Sequence, residues 1–314
     1  MCGSFICERK LFMYDIIVIG GGPAGLTAAL YARRANKTVL VIEKGTFGGQ
    51  ITFSPKVENI PGFAQITGNE FAEKLVEQTL EQGAEVECCE VLEIKDGDVK
   101  TVVTDGGDFE GKAVIIATGA KHRMLGLEGE EKLVGEGISF CAVCDGAFYA
   151  EKTVAVIGGG NSALQEAILL SDIAAKVYVV QNLDFLTGES RLAQQLEAKE
   201  NVEIILGTTV KSLKGENELK GITLEKTSDG SVRELELDGM FVAVGLVPQN
   251  EFCCKVVKLD GNGYVDADES CLTDRAGIFT AGDCRKKKIR QVVTAAADGA
   301  AAAMAACDYI ESLG

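Results

Sequence analysis

The stretch Asp15-Ile-Ile-Val-Ile-Gly-Gly-Gly-Pro-Ala-Gly-Leu26 decides the fold of this chain. Its consecutive β-branched residues predict a buried parallel strand. Gly20, Gly22 and Gly25 then form the pattern GxGxxG, ahead of a helix that we expect to reach Arg34. In such a turn the backbone can approach a pyrophosphate, and the amino terminus of the helix adds partial positive charge. The stretch therefore predicts a dinucleotide site.

A second strand follows this helix and ends in an acid. The run Thr38-Val-Leu-Val-Ile-Glu43 is again apolar, and the carboxylate of Glu43 is placed to accept hydrogen bonds from ribose hydroxyls. A glycine-rich turn alone also occurs in unrelated α/β proteins. Strand, turn, helix, strand and terminal acid in this order favour a Rossmann unit.

The same pattern returns in the middle of the chain. The stretch Thr153-Val-Ala-Val-Ile-Gly-Gly-Gly-Asn-Ser-Ala163 predicts a strand, a glycine turn and a helix to about Ser171, followed by a strand over Lys176–Gln181. Internal duplication of a Rossmann-like unit is typical of a flavoprotein that binds two nucleotides. We therefore expect an α/β chain with two Rossmann-like, three-layer domains, for which 314 residues are enough.

Weaker periodic patterns fill the rest of the chain. We expect the last of them, an alanine-rich helix, to pack back onto the first domain. The predicted elements are a helix over residues 69–82 with Phe71, Leu75, Val76 and Leu80 on one face, strands within 113–120, 239–248 and 276–283, and the helix from about Val292 to Leu313.

The segment Cys141-Ala-Val-Cys-Asp-Gly-Ala-Phe-Tyr149 lies near the start of the second unit. Two cysteines at this spacing can close a disulfide that opens with two electrons, which a flavin can supply. Asp145 directly follows Cys144 and is a candidate general acid. The alternative is half of a structural zinc site, but this is the only CxxC and His122 is the only histidine. We predict a redox disulfide and no metal.

The amino-acid composition excludes some classes of binding partner and cellular location. A net charge of −16 disfavours nucleic acid and anionic membranes, because phosphate binding needs clustered lysine and arginine. Eleven cysteines, an odd number that includes adjacent pairs, fit a reducing cytoplasm better than a secreted scaffold. No run approaches the roughly 18 apolar residues of a membrane span, and the start of the sequence shows no signal-peptide pattern. Residues 1–12 are interpreted as an extension or as the product of an upstream start. We expect a soluble protein.

From Met13 onward the sequence resembles the low-molecular-weight thioredoxin reductases. In that family an FAD-binding domain is interrupted by a smaller pyridine-nucleotide domain that carries the disulfide. The resemblance implies an FAD domain over 13–123 and 249–314 and an inserted domain over 124–248. The motifs that carry it are Gly20-Gly-Gly-Pro-Ala-Gly25, Gly49-Gln50, Glu58-Asn59-Ile-Pro-Gly62, Ala117-Thr-Gly-Ala120, Cys141-Ala-Val-Cys-Asp145, Gly282-Asp283 and Arg290-Gln291.

The resemblance also implies roles for single residues. The pyrophosphate of FAD would lie over the first glycine turn, Glu43 would bind its ribose, and a second nucleotide would lie at the second turn. The implied FAD residues are Gly20, Gly22, Pro23, Ala24, Gly25, Glu43, Gly49, Gln50, Asn59, Gly119, Gly282, Asp283, Arg290, Gln291 and Val292. Those of the second turn are Gly158, Gly160, Asn161, Ser162 and Ala163.

For catalysis, the resemblance implies that Cys144 lies nearest the flavin, Cys141 attacks the substrate disulfide and Asp145 serves as the acid. The substrate would be thioredoxin or a thioredoxin-like protein. The family works as a homodimer whose small domain rotates, because one disulfide must face a buried flavin and then a protein substrate.

One segment departs from the family. Members that use NADPH carry His-Arg-Arg-x-x-x-Arg after the second unit's strand, whose arginines neutralise the 2'-phosphate, whereas this chain has Gln181-Asn-Leu-Asp-Phe-Leu-Thr187. Binding that phosphate beside Asp184 without a cation costs several kcal/mol relative to an arginine fork. Arg191 could substitute. The donor therefore stays open between weakly used NADPH or NADH, ferredoxin, and another flavoprotein.

A basic run, Arg285-Lys-Lys-Lys-Ile-Arg290, favours ferredoxin, because an acidic carrier would be steered to it. The alternative for such a run is a solvated loop. A different class of function is a flavin-binding redox sensor without turnover. A flavin-type ferredoxin reductase would have no use for the CxxC, and the reductase of a peroxiredoxin system usually has an added thioredoxin-like domain.

Overall fold

The computed structural model describes residues 12–54 and 57–314, so nearly all of the predicted extension lies outside the described residues. In chain order the strands are β1 (Met13–Ile19), β2 (Val39–Glu43), β3 (Glu85–Cys88), β4 (Val91–Lys95), β5 (Lys100–Thr104), β6 (Gly107–Ile116), β7 (Ala120–His122), β8 (Ile138–Ser139), β9 (Thr153–Ile157), β10 (Lys176–Val180), β11 (Val202–Ile205), β12 (Thr208–Lys214), β13 (Gly221–Lys226), β14 (Val232–Glu236), β15 (Gly239–Val242), β16 (Leu246–Pro248) and β17 (Ile278–Thr280). The helices are α1 (Pro23–Arg34), α2 (Gly68–Glu81), α3 (Glu130–Leu133), α4 (Ala142–Asp145), α5 (Asn161–Ser171), α6 (Ser190–Glu197) and α7 (Val292–Ser312).

The first glycine-rich stretch lies at the centre of a mixed sheet. β1 is parallel to β2 on one side and to β6 on the other, in the order β3-β2-β1-β6-β5-β4. β17 pairs in parallel with the last residues of β6, whereas β5 runs antiparallel to its first half. Ile16, Ile17 and Val18 are fully buried, as expected of a strand covered on both faces. The carboxyl ends of these parallel strands therefore meet at one edge of the sheet.

Helices α1 and α7 pack on this sheet and touch each other through small residues. A Cβ on Gly299 would stand 2.2 Å from the carbonyl oxygen of Ala24, so the two backbones are in direct contact. Larger side chains would hold the helices apart, which explains why α7 is rich in alanine. The carboxyl-terminal helix thus returns to the first sheet, as the sequence predicts. Its residues in this core cluster are Ala295, Ala302, Ala303, Ala306, Cys307 and Ile310.

The second glycine-rich stretch builds a second parallel sheet, in the order β11-β10-β9-β15-β8. Helices α5 and α6 cover one face, where Leu164 and Leu196 pack with Phe241. The antiparallel sheet β12-β13-β14 covers the other face, where Ile222 packs with Met240. The predicted α/β class with two Rossmann-like units in three layers is therefore confirmed.

Two short strands connect the units. β7 and β16 pair antiparallel, with Ala120 opposite Pro248 and His122 opposite Leu246. The predicted domain boundaries, after residues 123 and 248, fall at this ribbon. The chain consequently leaves the first unit and re-enters it at one place.

The orientation of α2 differs from the prediction. The helix covers Gly68–Glu81, close to the predicted 69–82, but Leu80 is 43% exposed and the covered positions include Ala72 and Thr79. A Cβ on Gly68 would stand 1.8 Å from the carbonyl oxygen of Ile51, so this close contact requires glycine, while Phe71, Leu75 and Val76 are half-buried. Within the described part of the chain, no helix is both long and apolar enough to cross a membrane.

Candidate active site

The glycine turn after β1 is built by close backbone contacts. Gly20 has φ +113°, and a Cβ on it would stand 2.3 Å from the carbonyl oxygen of Ala117. A Cβ on Gly25 would stand 1.9 Å from the carbonyl oxygen of Gly20. Gly22 caps α1, and Pro23 is its first residue. Gly20 and Gly25 are therefore required by the close contacts of the turn, whereas a Cβ on Gly22 would have its nearest atoms at 3.9 Å.

A cleft of about 370 Å³ opens at this turn, at the carboxyl ends of β1, β2 and β6. Nine of the residues that the family resemblance implies for FAD form its walls: Gly20, Gly22, Pro23, Ala24, Glu43, Gly49, Gln50, Gly119 and Asp283. The implied residues Gly25, Asn59, Gly282, Arg290, Gln291 and Val292 are not among its wall residues. The sequence analysis missed other wall residues, including Lys44, Gly45, Thr46, Thr118, Lys121, Gln249 and Phe252.

Glu43 joins two loops at the floor of the cleft. Its Oε2 accepts a hydrogen bond from the backbone N–H of Gly21 at 2.7 Å, and its Oε1 accepts one from Gly45 at 2.8 Å. These bonds fix the carboxylate at the end of β2. The side chain is only partly buried, so it retains acceptor capacity for a ribose hydroxyl.

Asp283 has a buried polar atom that a ligand of this cleft could pair. It lies in the turn Gly282–Cys284, and its Oδ1 is buried without a hydrogen-bond partner among the described residues. Burial is the main cause that raises the pKa of this carboxyl to about 6. Buried polar atoms in native structures are normally paired. A hydroxyl of FAD would provide the donor, so the residues of this cleft fit that cofactor.

Asp298 of α7 fixes the turn that carries Asp283. Its Oδ2 accepts hydrogen bonds from the Gly282 N–H at 2.9 Å, from Arg285 Nε at 2.8 Å and from Lys287 Nζ at 2.8 Å. Its Oδ1 accepts a further one from Arg285 Nη2 at 2.8 Å. The carboxylate thus ties the turn to the helix through a nearly buried ion pair.

This network corrects the interpretation of the basic run. Arg285 is only 1% exposed and the side chain of Lys287 only 4%, so both serve the interior and neither is a docking residue or a solvated one. Arg290 lies over the ring of Tyr264, with 4.4 Å from its Cζ to the ring centre. Within the described chain, the run therefore offers a carrier little more than Lys286 and Lys288. Asp298, an acid among the alanines of the first half of α7, was the sequence feature that could have revealed the network.

Gln291 connects the first unit to the redox segment. Its Oε1 accepts a hydrogen bond from Asn59 Nδ2 at 3.2 Å, and its Nε2 lies 4.0 Å from the sulfur of Cys141. Although neither residue forms a wall of the cleft, they link it to the CxxC segment. The motifs that the sequence analysis quoted separately therefore meet here.

Cys141 and Cys144 are joined in a disulfide, with 5.3 Å between their Cα atoms. Cys141 caps the short helix α4, and its sulfur accepts a hydrogen bond from the Cys144 N–H at 3.2 Å. His122 stacks on Phe140, and burial lowers its pKa to about 4. Among the described residues, no group of histidine, cysteine or acidic side chains is arranged to hold a metal ion. The Cα separation of the pair is that of an ordinary closed disulfide.

Asp145 lies beside the disulfide in a largely buried position. Ser139 Oγ donates a hydrogen bond to its Oδ2 at 2.5 Å and accepts one from the Cys141 N–H at 3.1 Å. Burial raises the pKa of this carboxyl, against the opposing effect of the Ser139 hydrogen bond. A carboxyl with a raised pKa holds its proton closer to neutral pH, as a general acid must. Ser139 was not predicted, because no motif marks the residue two places before a CxxC.

Comparison with known proteins agrees with this geometry. The sequence profile of the pyridine nucleotide-disulphide oxidoreductase family matches residues 14–299. The chain belongs to this family. The thioredoxin reductase of Listeria monocytogenes is 42% identical over 308 residues, which cover 98% of this chain and 96% of that protein. The chain is therefore also a member of the thioredoxin reductase family.

Two solved structures extend the comparison. The thioredoxin reductase of Streptococcus pyogenes has a TM-score of 0.91 at 40% identity, over 96% of this chain and 99% of that one. The Lactococcus lactis enzyme in its FR conformation has a TM-score of 0.67 at 37% identity, over 95% of this chain and 99% of that one. Because the two identities are nearly equal, sequence divergence does not explain the lower score.

The second glycine turn has the same construction as the first. A Cβ on Gly158 would stand 2.5 Å from the carbonyl oxygen of Ala243, and Gly160 caps α5. Asn161 is held by Glu189, whose N–H donates to its Oδ1 at 2.7 Å. Of the other two predicted residues, Ser162 is exposed and Ala163 is buried in the core. The second turn thus repeats the backbone construction of the first.

The loop after β10, residues 181–187, contains no arginine. Gln181 stands where Glu43 stands in the first unit, and it is buried against Gly159. The side chains of Leu183 and Phe185 are 40% and 61% exposed. The surface that would meet a 2'-phosphate is therefore partly apolar.

Proposed function

We propose that this chain is an FAD-dependent thioredoxin-disulfide reductase, which passes electrons through the Cys141–Cys144 disulfide to thioredoxin or a thioredoxin-like protein. The observation that carries the proposal is the meeting of two sites. The closed disulfide of the second unit lies against the side chain of Gln291 in the first unit. The amide oxygen of Gln291 in turn accepts a hydrogen bond from Asn59. A disulfide in this position can exchange electrons with a cofactor held in the first unit.

Different residues of the cleft would bind different parts of FAD. The turn from Gly20 to Gly25 and the amino terminus of α1 would bind the pyrophosphate, Glu43 a ribose hydroxyl, and Asp283 a hydroxyl of the ribityl chain. When bound, FAD supplies the electron pair that opens the disulfide. The other residues that we propose near the cofactor are Gly49, Gln50, Asn59, Gly119, Arg290, Gln291 and Val292.

The chain's own residues would perform the exchange with the substrate. We propose that Cys144 lies nearest the flavin and that Cys141 attacks the substrate disulfide, with a mixed disulfide as intermediate. The Asp145 carboxyl would give its proton to the sulfur that leaves the substrate disulfide, and the proton lost by the attacking Cys141 thiol would restore it. Its burial and its bond to Ser139 keep it fixed beside the two sulfurs.

The two units would have to move relative to each other during turnover. In this arrangement the sulfur of Cys141 faces Gln291, whereas a protein substrate needs open access to the same sulfur. The TM-scores of 0.91 and 0.67 against two relatives of similar identity support a second arrangement of the same units. We also propose a homodimer, as the family resemblance implies, and a cytoplasmic location, which suits the free cysteines of the described residues.

A second candidate concerns the electron donor. The arginines that bind the 2'-phosphate are replaced by Asn182, Leu183 and Thr187, which favours a donor other than NADPH, such as NADH, ferredoxin or another flavoprotein. The basic run no longer supports ferredoxin, because Arg285 and Lys287 are used internally. Stopped-flow reduction of the bound flavin by NADPH, NADH and reduced ferredoxin in parallel identifies the donor. Rapid reduction by NADPH alone would contradict this second candidate.

Photoreduced enzyme tests the main proposal without knowledge of the donor. It should reduce oxidised thioredoxin, and Cys144→Ser should abolish this transfer while the protein keeps its yellow flavin. Turnover retained in Cys144→Ser would refute the proposal. A steady-state assay with each donor separates an enzyme from a redox sensor, because a sensor would show one reduction without repeated turnover.

A further inference from the structure

Asn250 lies where the chain re-enters the first unit. In the ribbon of β7 and β16, Ala120 lies opposite Pro248. The same antiparallel register, continued by two residues, places Thr118 opposite Asn250. Thr118 Oγ1 donates a hydrogen bond to Asn250 Oδ1 at 3.0 Å. This bond between side chains therefore joins the two crossings of the chain at the end of the ribbon that adjoins the first unit.

The side-chain amide of Asn250 also binds two other segments of the first unit. Its Nδ2 donates to the carbonyl oxygen of Gly263 at 2.9 Å and to that of Cys284 at 2.8 Å. The nitrogen and the oxygen of the amide are thus both in use, and Asn250 is only 1% exposed. With the amide reversed, its oxygen would face two carbonyl oxygens. One orientation alone satisfies all three hydrogen bonds.

This arrangement differs from an ordinary helix cap. Asn250 precedes the short 3-10 turn Glu251–Cys253, a position at which an asparagine side chain commonly accepts a hydrogen bond from the following backbone. Here its side chain makes no capping bond to that turn. Its neighbours Gln249 and Phe252 form walls of the FAD cleft, whereas Asn250 is not a wall residue. Asn250 is therefore buried beside the cleft and acts on it through other residues.

The bond to Cys284 fixes one end of the turn that presents Asp283. The turn covers Gly282–Cys284, and Asp283 is the residue of it that forms a wall of the cleft. Asp298 holds the first residue of the turn through the Gly282 N–H at 2.9 Å. Asn250 holds its last residue through the Cys284 carbonyl. Two buried side chains, one on each side of Asp283, therefore fix the turn that carries its carboxyl.

The bond to Thr118 connects this turn to a second part of the cleft wall. Thr118 and Gly119 follow β6, and both are wall residues. Because one planar amide binds Thr118 and the Cys284 carbonyl together, it sets the two wall segments relative to each other. The ribbon that begins at Ala120 leads to the second unit, which moves in the proposed function. A bond at the start of the ribbon keeps that movement away from the cleft.

We propose that Asn250 is a positioning residue for FAD, which fixes the start of the connecting ribbon and holds Asp283 and the Thr118–Gly119 segment where the cofactor needs them. This inference rests on the proposed function, in which this cleft binds FAD. Asn250 acts only through the segments to which it is bonded. It is a role that no motif in the sequence indicates.

Asn250→Ala tests the role through the affinity for FAD. The change removes all three hydrogen bonds, and a misplaced Asp283 loses its own bond to the cofactor, so the dissociation constant should rise roughly threefold to tenfold. Each protein is purified with its FAD and diluted stepwise, and the fluorescence of the released FAD gives the dissociation constant. Urea unfolding of the same samples gives the free energy of unfolding.

Two control variants separate this role from a general loss of stability. Asn201→Ala, in the second unit, removes an amide whose Nδ2 likewise donates to two carbonyl oxygens, those of Ser171 at 2.9 Å and Ala174 at 3.0 Å. Val102→Ala opens a cavity in the core of the first unit, away from the cleft walls. Both should lower the free energy of unfolding and leave the affinity for FAD unchanged. A loss of stability without a loss of affinity in Asn250→Ala would overturn the proposal.

Thr118 allows the same bond to be tested from its other side. Thr118→Val removes the hydroxyl that donates to Asn250 and should weaken FAD binding, whereas Thr118→Ser keeps a hydroxyl and should retain most of the affinity. Adding Thr118→Val to Asn250→Ala should weaken binding no further, because the bond is already absent. Losses that add up would show that Thr118 acts independently of Asn250 and would also overturn the proposal.

A milder variant and the unchanged protein complete the test. Asn250→Ser, whose hydroxyl can keep one of the bonds, should show a smaller loss of affinity than Asn250→Ala, and it decides the question if Asn250→Ala does not fold. Unchanged protein that binds no FAD would refute the proposed function and this inference with it. Unchanged protein and Asn250 variants that bind FAD equally well would refute the role of Asn250 alone.

Discussion

The side-chain amide of Gln291 lies 4.0 Å from the sulfur of Cys141 and bridges the two units of the molecule. Gln291→Ala removes this contact together with the bond to Asn59. A single polar contact is worth about 0.5–1.5 kcal/mol, so the closed arrangement should lose roughly two- to tenfold in population. The rate at which iodoacetamide alkylates the photoreduced enzyme should rise by that factor. Gln194→Ala, at an exposed position of α6, is the control, and equal rates in both variants would contradict the prediction.

Asp298→Asn should strongly destabilise the protein. The change leaves Arg285 and Lys287 as nearly buried cations without their shared carboxylate. Breaking a buried ion pair from one side costs about 3–5 kcal/mol. The measurement is urea unfolding of the protein as purified. Glu269→Gln removes the other carboxylate that binds Arg285. Because the side chain of Glu269 is 86% exposed, this change should lower the free energy of unfolding by about 1 kcal/mol or less. Equal losses in the two variants would show that burial does not decide the effect.

The sequence predicted what local patterns determine. Both glycine turns, their parallel strands, the CxxC segment and the alanine-rich last helix follow from short-range rules on strand burial, tight turns and cysteine spacing. Nine residues taken from the family resemblance form walls of one cleft, although they come from distant parts of the chain.

What the sequence did not reveal depends on contacts between distant residues. Arg285 and Lys287 were expected at the surface because their partner, Asp298, lies on another element. Leu80 shares the predicted apolar face of α2 with Phe71, Leu75 and Val76, yet it is 43% exposed whereas those three are half-buried. Periodicity shows that a helix has an apolar side, but the neighbour decides which side is covered.

Gly299→Ala should destabilise the first unit by driving α1 and α7 apart. The new Cβ would stand 2.2 Å from the carbonyl oxygen of Ala24, and backbone on both sides leaves it no room. Overpacking of this kind costs about 1–3 kcal/mol or more. Gly261→Ala is the matched control, because a Cβ there would meet no atom within 4 Å. Urea unfolding should show a loss in the first variant only, and an unaffected Gly299→Ala would mean that the helices can separate freely.

Asp283 should give the FAD-free protein a characteristic pH dependence. Burial raises the pKa of this carboxyl to about 6 in the folded state, so the folded protein binds the proton more tightly than the unfolded chain. Its contribution to stability is full below an unfolded pKa of about 3.9 and is lost as the pH rises through 6, a fall of up to about 3 kcal/mol. Asp283→Asn should lack this fall. Thermal unfolding of both proteins without FAD measures it, and parallel curves would contradict the prediction.

The last prediction concerns the loop that lacks the family's arginines. Leu183 is 40% exposed, and Thr187 lies beside the second glycine turn, with its Oγ1 3.7 Å from where a Cβ on Gly160 would stand. Arginine at both positions supplies two charge-assisted contacts to a 2'-phosphate, each worth about 1.5–3 kcal/mol. The combined change Leu183→Arg and Thr187→Arg should therefore raise the ratio of NADPH to NADH affinity by at least about tenfold.

Titration of both nucleotides against this double variant measures that ratio. Leu92→Arg, which replaces an exposed leucine of the first unit, controls for the added positive charge. The gain should weaken as salt is raised, because exposed charge pairs are screened. An unchanged ratio in the double variant would show that the missing arginines are not what limits NADPH at this turn, and the case for a different donor would then lose its main support.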